Sequence, residues 1–145
     1  MKLLPLLLAI PFSIPLAFAR PVIAQNNCTW VIQGQLDESD PRLRGSNAPY
    51  EIHRFRATRG EEIFVEAESD YFNSQIALFK VEGNSFTLID SESTGTDWQL
   101  FTAWIYEDGE YAIRVASVKY EYPFGQEPDK KFGYYTLQIS PFECS

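Results

Sequence analysis

The feature that most constrains the fold of this chain is an alternation of apolar and polar residues in short segments separated by turn-forming residues. It is clearest between Leu100 and Val115, where two alternating segments flank Glu107-Asp108-Gly109. Because successive side chains of a strand point to opposite faces, the pattern predicts two strands with one apolar face each. A three-residue loop with Gly109 in the left-handed conformation joins them as a hairpin. The predicted register sets Ile105 opposite Tyr111, Ala103 opposite Ile113 and Phe101 opposite Val115, and leaves Trp104 and Tyr106 on the other face.

The same alternation recurs along the chain and predicts further strands over residues 29–36, 50–57, 62–68, 75–81, 86–90 and 133–140. In the third of these, Ile63, Val65 and Ala67 face the core, while Phe64, Glu66 and Glu68 face outward. No segment combines a helical apolar period with a helix cap. The sequence therefore predicts an all-β fold, a jelly-roll-like antiparallel β-sandwich of about eight strands in one domain.

The N-terminus has the organisation of an export signal. Lys2 precedes an apolar run from Leu3 to Phe18, which is too short and too rich in proline to span a membrane. Small residues allow cleavage after Ala19 or after Ala24, and Ala24 is preferred because Arg20 and Pro21 follow Ala19. The predicted domains are a signal peptide over residues 1–24 and a β-sandwich over residues 25–145. We expect a periplasmic or secreted protein with no membrane span.

The charge balance of the chain argues against nucleic acid as a partner. The 145 residues carry a net charge of −8. Loss of Lys2 and Arg20 with the signal peptide leaves 10 basic against 20 acidic residues, about −10. Binding to phosphate backbones requires a basic surface, so neither nucleic acid nor an anionic membrane is an expected partner.

Two cysteines, Cys28 and Cys144, lie near the two ends of the mature chain. Export permits a disulfide between them, and closing a loop of this length contributes roughly 4–5 kcal/mol in the chain-entropy model. A metal-binding or reactive thiol pair is the alternative, but two distant cysteines and one histidine fit a metal site poorly. The sequence thus predicts a Cys28–Cys144 disulfide.

The order of the strand motifs resembles the bacterial pre-peptidase C-terminal domain family over most of residues 30–140. The matching pieces are Gly34-Gln35-Leu36, Tyr50 to Phe55 before Gly60-Glu61, Ile63-x-Val65-x-Ala67, Phe72-Asn73 before Ile76-x-Leu78, Gly109-Glu110-Tyr111-x-Ile113-x-Val115 and Gly133-x-Tyr135-x-Leu137-x-Ile139. This resemblance implies a jelly-roll-like sandwich. It also implies an accessory role, because members accompany secreted enzymes and some bind matrix, polysaccharide or calcium.

The histidine and the carboxylates of the sequence give little support for catalysis. His53 is the single histidine and falls on the strand face that carries Phe55, which predicts a half-buried structural role rather than that of a catalytic base. Paired carboxylates of a small secreted hydrolase remain the alternative, although no spacing in the sequence places two of them at a working separation. We therefore expect a protein without enzymatic activity.

Two kinds of binding site remain open from the sequence. Hard cations bind clustered oxygen atoms of loops, so the candidate calcium ligands are Asp37 to Asp40 or the set Asp90, Glu92 and Asp97. A calcium-stabilised structural module is therefore the alternative function. No other cofactor is expected. Exposed aromatic side chains anchor proteins and stack on sugar rings. The predicted binding residues are Trp104, Tyr106, Tyr120 and Tyr122, and the predicted function is an exported binding or accessory module that contacts a protein or polysaccharide.

Overall fold

β-Strands account for most of the chain that the computed structural model describes, namely residues 23–26, 29–93, 96–118 and 132–141. These ranges contain nine strands and no helix, and the strands form two antiparallel sheets. The predicted all-β sandwich is therefore confirmed. The strands are β1 (Ile23–Asn26), β2 (Thr29–Leu36), β3 (Tyr50–Ala57), β4 (Glu62–Glu68), β5 (Asn73–Glu82), β6 (Ser85–Glu92), β7 (Trp98–Trp104), β8 (Gly109–Val118) and β9 (Gly133–Pro141).

The two sheets enclose one apolar core. The five-stranded sheet has the order β1-β2-β9-β4-β7, and the four-stranded sheet has the order β3-β8-β5-β6. The inward faces are those that the alternation predicted, because Ile63, Val65 and Ala67 of β4 are buried against the opposite sheet. Trp30 of β2 meets Phe55 of β3 edge to face with ring centroids 5.7 Å apart, which ties the two sheets together.

The predicted hairpin around Gly109 is wrong. β7 pairs with β4 in the five-stranded sheet, whereas β8 pairs with β3 and β5 in the four-stranded sheet. The segment between β7 and β8 is therefore an arch that crosses from one sheet to the other. The predicted inward residues are all buried even so, because both strands still turn their apolar faces to the core. These residues are Phe101, Ala103, Ile105, Tyr111, Ile113 and Val115.

Hydrogen bonds around the arch explain its geometry. The backbone of Ile105 exchanges hydrogen bonds with Gly60 and Glu61, which lie in the neighbouring crossover from β3 to β4. Lys80 donates from Nζ to the carbonyl of Asp108 at 2.9 Å, and its ammonium lies 4.6 Å from the centre of the Tyr111 ring. The two crossovers therefore support each other at one end of the sandwich.

β5 and β6 form a true hairpin around Glu82-Gly83-Asn84-Ser85. Glu82 pairs with Ser85, so Gly83 and Asn84 make a two-residue turn, and Gly83 has a φ of 60°. A β-bulge follows, because Leu78 pairs with Asp90 and Phe79 with Leu88, which leaves Ile89 as the extra residue.

The first strand bears on the position of signal cleavage. Ile23 and Ala24 pair with Ile32 and Val31 of β2. Cleavage after Ala24 removes these two residues from β1, whereas cleavage after Ala19 keeps the strand whole; the predicted boundary remains a prediction. Within the described residues, no helix has the length and apolarity that crossing a membrane requires.

Candidate functional site

The outward surface of the five-stranded sheet brings acidic and aromatic side chains together. Because β4 lies between β7 and β9, its outward residues stand beside outward residues of both neighbours. We call this surface the acidic aromatic face. Its members are Thr29, Val31, Gln33, Gln35, Glu62, Phe64, Glu66, Glu68, Trp98, Leu100, Thr102, Trp104, Tyr134, Thr136, Gln138 and Ser140.

Three glutamates along β4 dominate the charge of this face. Glu62 pairs with Trp104, Glu66 with Leu100 and Glu68 with Trp98. No Lys, Arg or His is present among the outward residues of the described strands β2, β4, β7 and β9. The face is therefore uniformly negative, and nothing within these strands neutralises its carboxylates.

Tryptophans stand at the two ends of this glutamate row. Trp98 and Trp104 are 46% and 53% exposed, and both project from β7, the edge strand. Trp98 donates from Nε1 to Glu66 Oε1 at 2.5 Å, which orients both side chains. At about 3.3 Å per residue, the two tryptophans are roughly 20 Å apart along the strand. Within the described residues, the face is thus a long sheet surface with an exposed tryptophan at each end of the glutamate row.

Exposure of Trp104 and Tyr106 agrees with the outward direction predicted for them. Tyr106 follows β7 and is 75% exposed. At the opposite end of the sheet, Tyr71 and Tyr134 are also exposed, and their rings meet edge to face with centroids 6.0 Å apart. A binding role for these aromatic residues is a separate matter and remains a prediction.

The other predicted site residues fall into two groups. Tyr120, Tyr122, Cys28 and Cys144 lie outside the described residues, so the predicted disulfide and half of the predicted binding set remain predictions. Asp90 and Glu92 lie on β6, and Asp97 lies just before β7.

The predicted calcium ligands do not come together as a set. No group of three or more His, Cys, Asp or Glu residues suited to a metal ion occurs in the described part of the chain, and these three acids are within that part. Asp37, in the other candidate loop, instead accepts hydrogen bonds from the backbone and hydroxyl of Ser39 at 2.7 and 2.6 Å. These hydrogen bonds lower the pKa of Asp37.

A polar cluster of Glu51, His53 and Tyr135 lies between the two sheets, near the edge strand β3. The Tyr135 hydroxyl donates to Glu51 Oε2, and His53 Nε2 lies 2.5 Å from the same hydroxyl oxygen. A tyrosine hydroxyl carries one proton, so His53 must donate from Nε2 to Tyr135. The predicted structural role of His53 is supported by this bond and by a side chain that is 14% exposed.

Burial sets the protonation preferences of this cluster. Desolvation raises the pKa of Glu51 and lowers that of His53, because the charged form of each group loses hydration. Desolvation and the neighbouring Glu51 carboxyl also raise the pKa of Tyr135 far above its usual range. The lowered pKa of His53 favours the neutral imidazole, whose Nε2–H donates to Tyr135 and helps to hold that side chain.

Several residues of the acidic aromatic face were not selected from the sequence. The predicted sites do not include Trp98, Glu62, Glu66 or Glu68. The sequence does indicate their direction. Trp98 and Trp104 are six residues apart and therefore share one face of a strand, and Glu66 and Glu68 are predicted to face outward. The missing information was that β4 and β7 are neighbours.

Comparisons with known proteins add a structural likeness. No family model matches the chain, and no curated protein sequence matches it. A solved structure, that of Aeromonas hydrophila PliG, a periplasmic lysozyme inhibitor of g-type lysozyme, is similar with a TM-score of 0.53 and 12% sequence identity. The match covers 82% of this chain and 90% of the PliG chain. This likeness shows the fold, and the resemblance to pre-peptidase C-terminal domains remains a prediction.

Proposed function

We propose that this chain is an exported, non-catalytic binding module whose acidic aromatic face binds a basic protein. The observation that carries this proposal is the row of three glutamates between two half-exposed tryptophans on a face without a cationic side chain in its described strands. Complementary charge steers a basic partner toward such a face and orients it. The tryptophans supply the apolar anchors that dominate binding energy in protein interfaces.

The shape of the face favours a protein over a small substrate. An open sheet surface roughly 20 Å long suits a broad interface better than the closed pocket that a small ligand requires. Trp98 is held by its bond to Glu66, so one anchor is ordered before binding, which reduces the entropy lost on association.

We propose that the protein is not catalytic because of where His53 lies. The single histidine of the sequence donates to Tyr135 and lies mostly buried, 14% exposed, between the sheets. It is therefore poorly placed to accept a proton from a substrate at the surface.

Export and a protein partner draw support from two independent sources. The sequence begins with the organisation of a signal peptide. The structurally similar PliG is a periplasmic inhibitor of g-type lysozyme, so a sandwich of this kind can serve as a binding protein in the cell envelope. A g-type lysozyme is therefore the first partner to test.

The direct experiment measures binding of the mature protein to a g-type lysozyme by calorimetry, together with inhibition of cell-wall lysis. Replacing Trp104 with Ala is expected to weaken binding by roughly 30-fold or more, as for an interface anchor. Glu62→Gln, Glu66→Gln and Glu68→Gln together are expected to slow association and reduce its dependence on salt. Failure to bind any basic envelope protein, or equal binding by all these variants, contradicts the proposal.

A matched control separates the two faces of the sandwich. Arg56 is an exposed residue of β3 on the opposite sheet, so Arg56→Ala should leave binding unchanged. Insoluble cell-wall polysaccharide is the second probe. Binding to polysaccharide that depends on Trp98 and Trp104 but not on the glutamates would replace the proposed protein partner by a sugar.

A further inference from the structure

Among the residues that the structure describes, β6 is an unpaired edge strand, and it lacks the protection given to the other edge of its own sheet. β3, at the far edge, carries the exposed Arg54 and Arg56, and the backbone N–H of Tyr50 donates to Pro41 in the covering loop. β6 instead exposes Phe86, Leu88 and Ile89, with Leu88 57% exposed. Ser85 to Ile89 contains no charged residue and no proline. Charges, prolines and covering loops are the usual means by which proteins prevent edge-to-edge pairing.

The hairpin geometry determines which backbone groups of β6 are free. In a two-residue hairpin the closing pair, here Glu82 and Ser85, is hydrogen-bonded, and bonded pairs alternate with non-bonded pairs. Thr87, opposite Lys80, therefore bonds to β5, while Phe86 and Leu88 turn their N–H and C=O groups away from the sheet. Phe86 and Leu88 also share the outward side-chain face, on which the Arg54 guanidinium lies 5.2 Å from the centre of the Phe86 ring.

We propose that a second copy of this chain pairs with β6 in antiparallel orientation, about a two-fold axis at Thr87. The segment from Ser85 to Ile89 is complementary to itself in this register. Phe86 of each copy stands opposite Leu88 of the other and exchanges two backbone hydrogen bonds with it, which gives one apolar cluster of four side chains. Ser85 to Ile89 carries no charged side chain, so no like charges face each other in the paired stretch. The bulge at Ile89 limits the pairing to this short stretch, which makes the dimer weak and dependent on concentration.

This pairing joins two four-stranded sheets into one of eight strands and is isologous, so it closes as a dimer. It leaves the acidic aromatic face free in both copies, because that face belongs to the other sheet. The inference is independent of the proposed function, since binding to a basic protein and pairing through β6 use different surfaces.

Sedimentation velocity of the mature protein over about a hundred-fold range of concentration tests the proposal. The wild-type protein is expected to shift from monomer toward dimer as its concentration rises. Leu88→Lys places a cation in the centre of the pairing stretch and is expected to abolish the shift. Ile52→Lys, at an exposed apolar position of β3 in the same sheet, is the matched control and is expected to dimerise as the wild type does. A wild-type protein that stays monomeric throughout overturns the proposal, as does a dimer that survives Leu88→Lys.

A cysteine cross-link tests the register and does not depend on Leu88→Lys folding. At a non-hydrogen-bonded antiparallel pair the Cα atoms are about 4.5 Å apart, within the range of a disulfide. Thr87→Cys is therefore expected to give a reducible covalent dimer under mild oxidation. Ser91→Cys, also on β6, and the wild type with its native cysteines are expected to stay largely monomeric. Equal cross-linking at residues 87 and 91 rules out the two-fold axis at Thr87.

Discussion

Replacement of Gly34 by Ala is expected to be among the most destabilising single substitutions in this protein. Gly34 of β2 pairs with Tyr135 of β9, and the Tyr135 ring lies over the glycine. A Cβ atom at residue 34 would come well within 3.0 Å of the Tyr135 ring and hydroxyl, a distance that real Cβ atoms essentially never reach. The ring cannot swing out freely, because it is buried and bound to His53 and Glu51.

The magnitude follows from these contacts. Overpacking of a well-filled core costs about 1–3 kcal/mol, and loss of each Tyr135 hydrogen bond costs about 1 kcal/mol. Gly34→Ala should therefore lower the free energy of unfolding by about 3 kcal/mol, which corresponds to roughly 10 °C in melting temperature for a domain of this size.

Urea unfolding followed by tryptophan fluorescence measures this change, and a double-mutant cycle attributes it. In a Tyr135→Leu background the ring is absent, so adding Gly34→Ala should cost much less than it does in the wild type. The neighbouring outward-facing Gln33→Ala is a control for changes on the same strand and should have little effect. A cost below about 1 kcal/mol for Gly34→Ala, or the same cost in both backgrounds, would refute this account of the glycine.

Three further outcomes are expected. Burial lowers the pKa of His53 below its ordinary value of 6.5, so the unfolded chain binds a proton that the folded chain does not, and stability should fall as pH drops below 6.5. The raised pKa of Glu51 has the opposite effect on stability above pH 4.5, because the folded chain binds a proton there that the unfolded chain does not. Since the decline below pH 6.5 comes from His53, His53→Gln should flatten it between pH 7 and pH 5 in urea titrations, by at most about 1.4 kcal/mol per pH unit. Reduction of a Cys28–Cys144 disulfide should lower stability by roughly 4–5 kcal/mol, and an unchanged melting temperature in reducing agent argues against the bond. Millimolar calcium should leave the melting temperature unchanged, because Asp90, Glu92 and Asp97 do not form a ligand group; a rise that Asp90→Asn abolishes would establish the calcium site.

Local pattern was enough to predict which residues face the core. β2, β3 and β4 occupy the predicted ranges, and the inward residues of β7 and β8 are buried as expected. Period-two alternation reports the direction of each side chain relative to its own strand, and that direction is the same whether the neighbouring strand belongs to one sheet or to the other.

Strand partners could not be predicted in the same way. The turn residues Asp108 and Gly109 suit a hairpin, but they lie in an arch, where Lys80 of β5 and Gly60 and Glu61 of the β3–β4 crossover bind the surrounding backbone. These contacts join residues that are distant in the sequence. The same limitation hid the acidic aromatic face, which exists because β7 pairs with β4 and not with β8.

The chain has a net charge of −8, and the outward faces of its two sheets differ in the charge that they carry. The acidic aromatic face carries Glu62, Glu66 and Glu68, whereas on the outward face of the four-stranded sheet Arg54, Arg56 and Arg114 outnumber Glu110, which pairs with Arg54. Such a separation orients a basic partner before contact and leaves the opposite sheet available for pairing between copies. Salt should therefore slow association at the acidic aromatic face, whereas dissociation should depend mainly on Trp98 and Trp104, and the two rates report the electrostatic and apolar parts of the site separately.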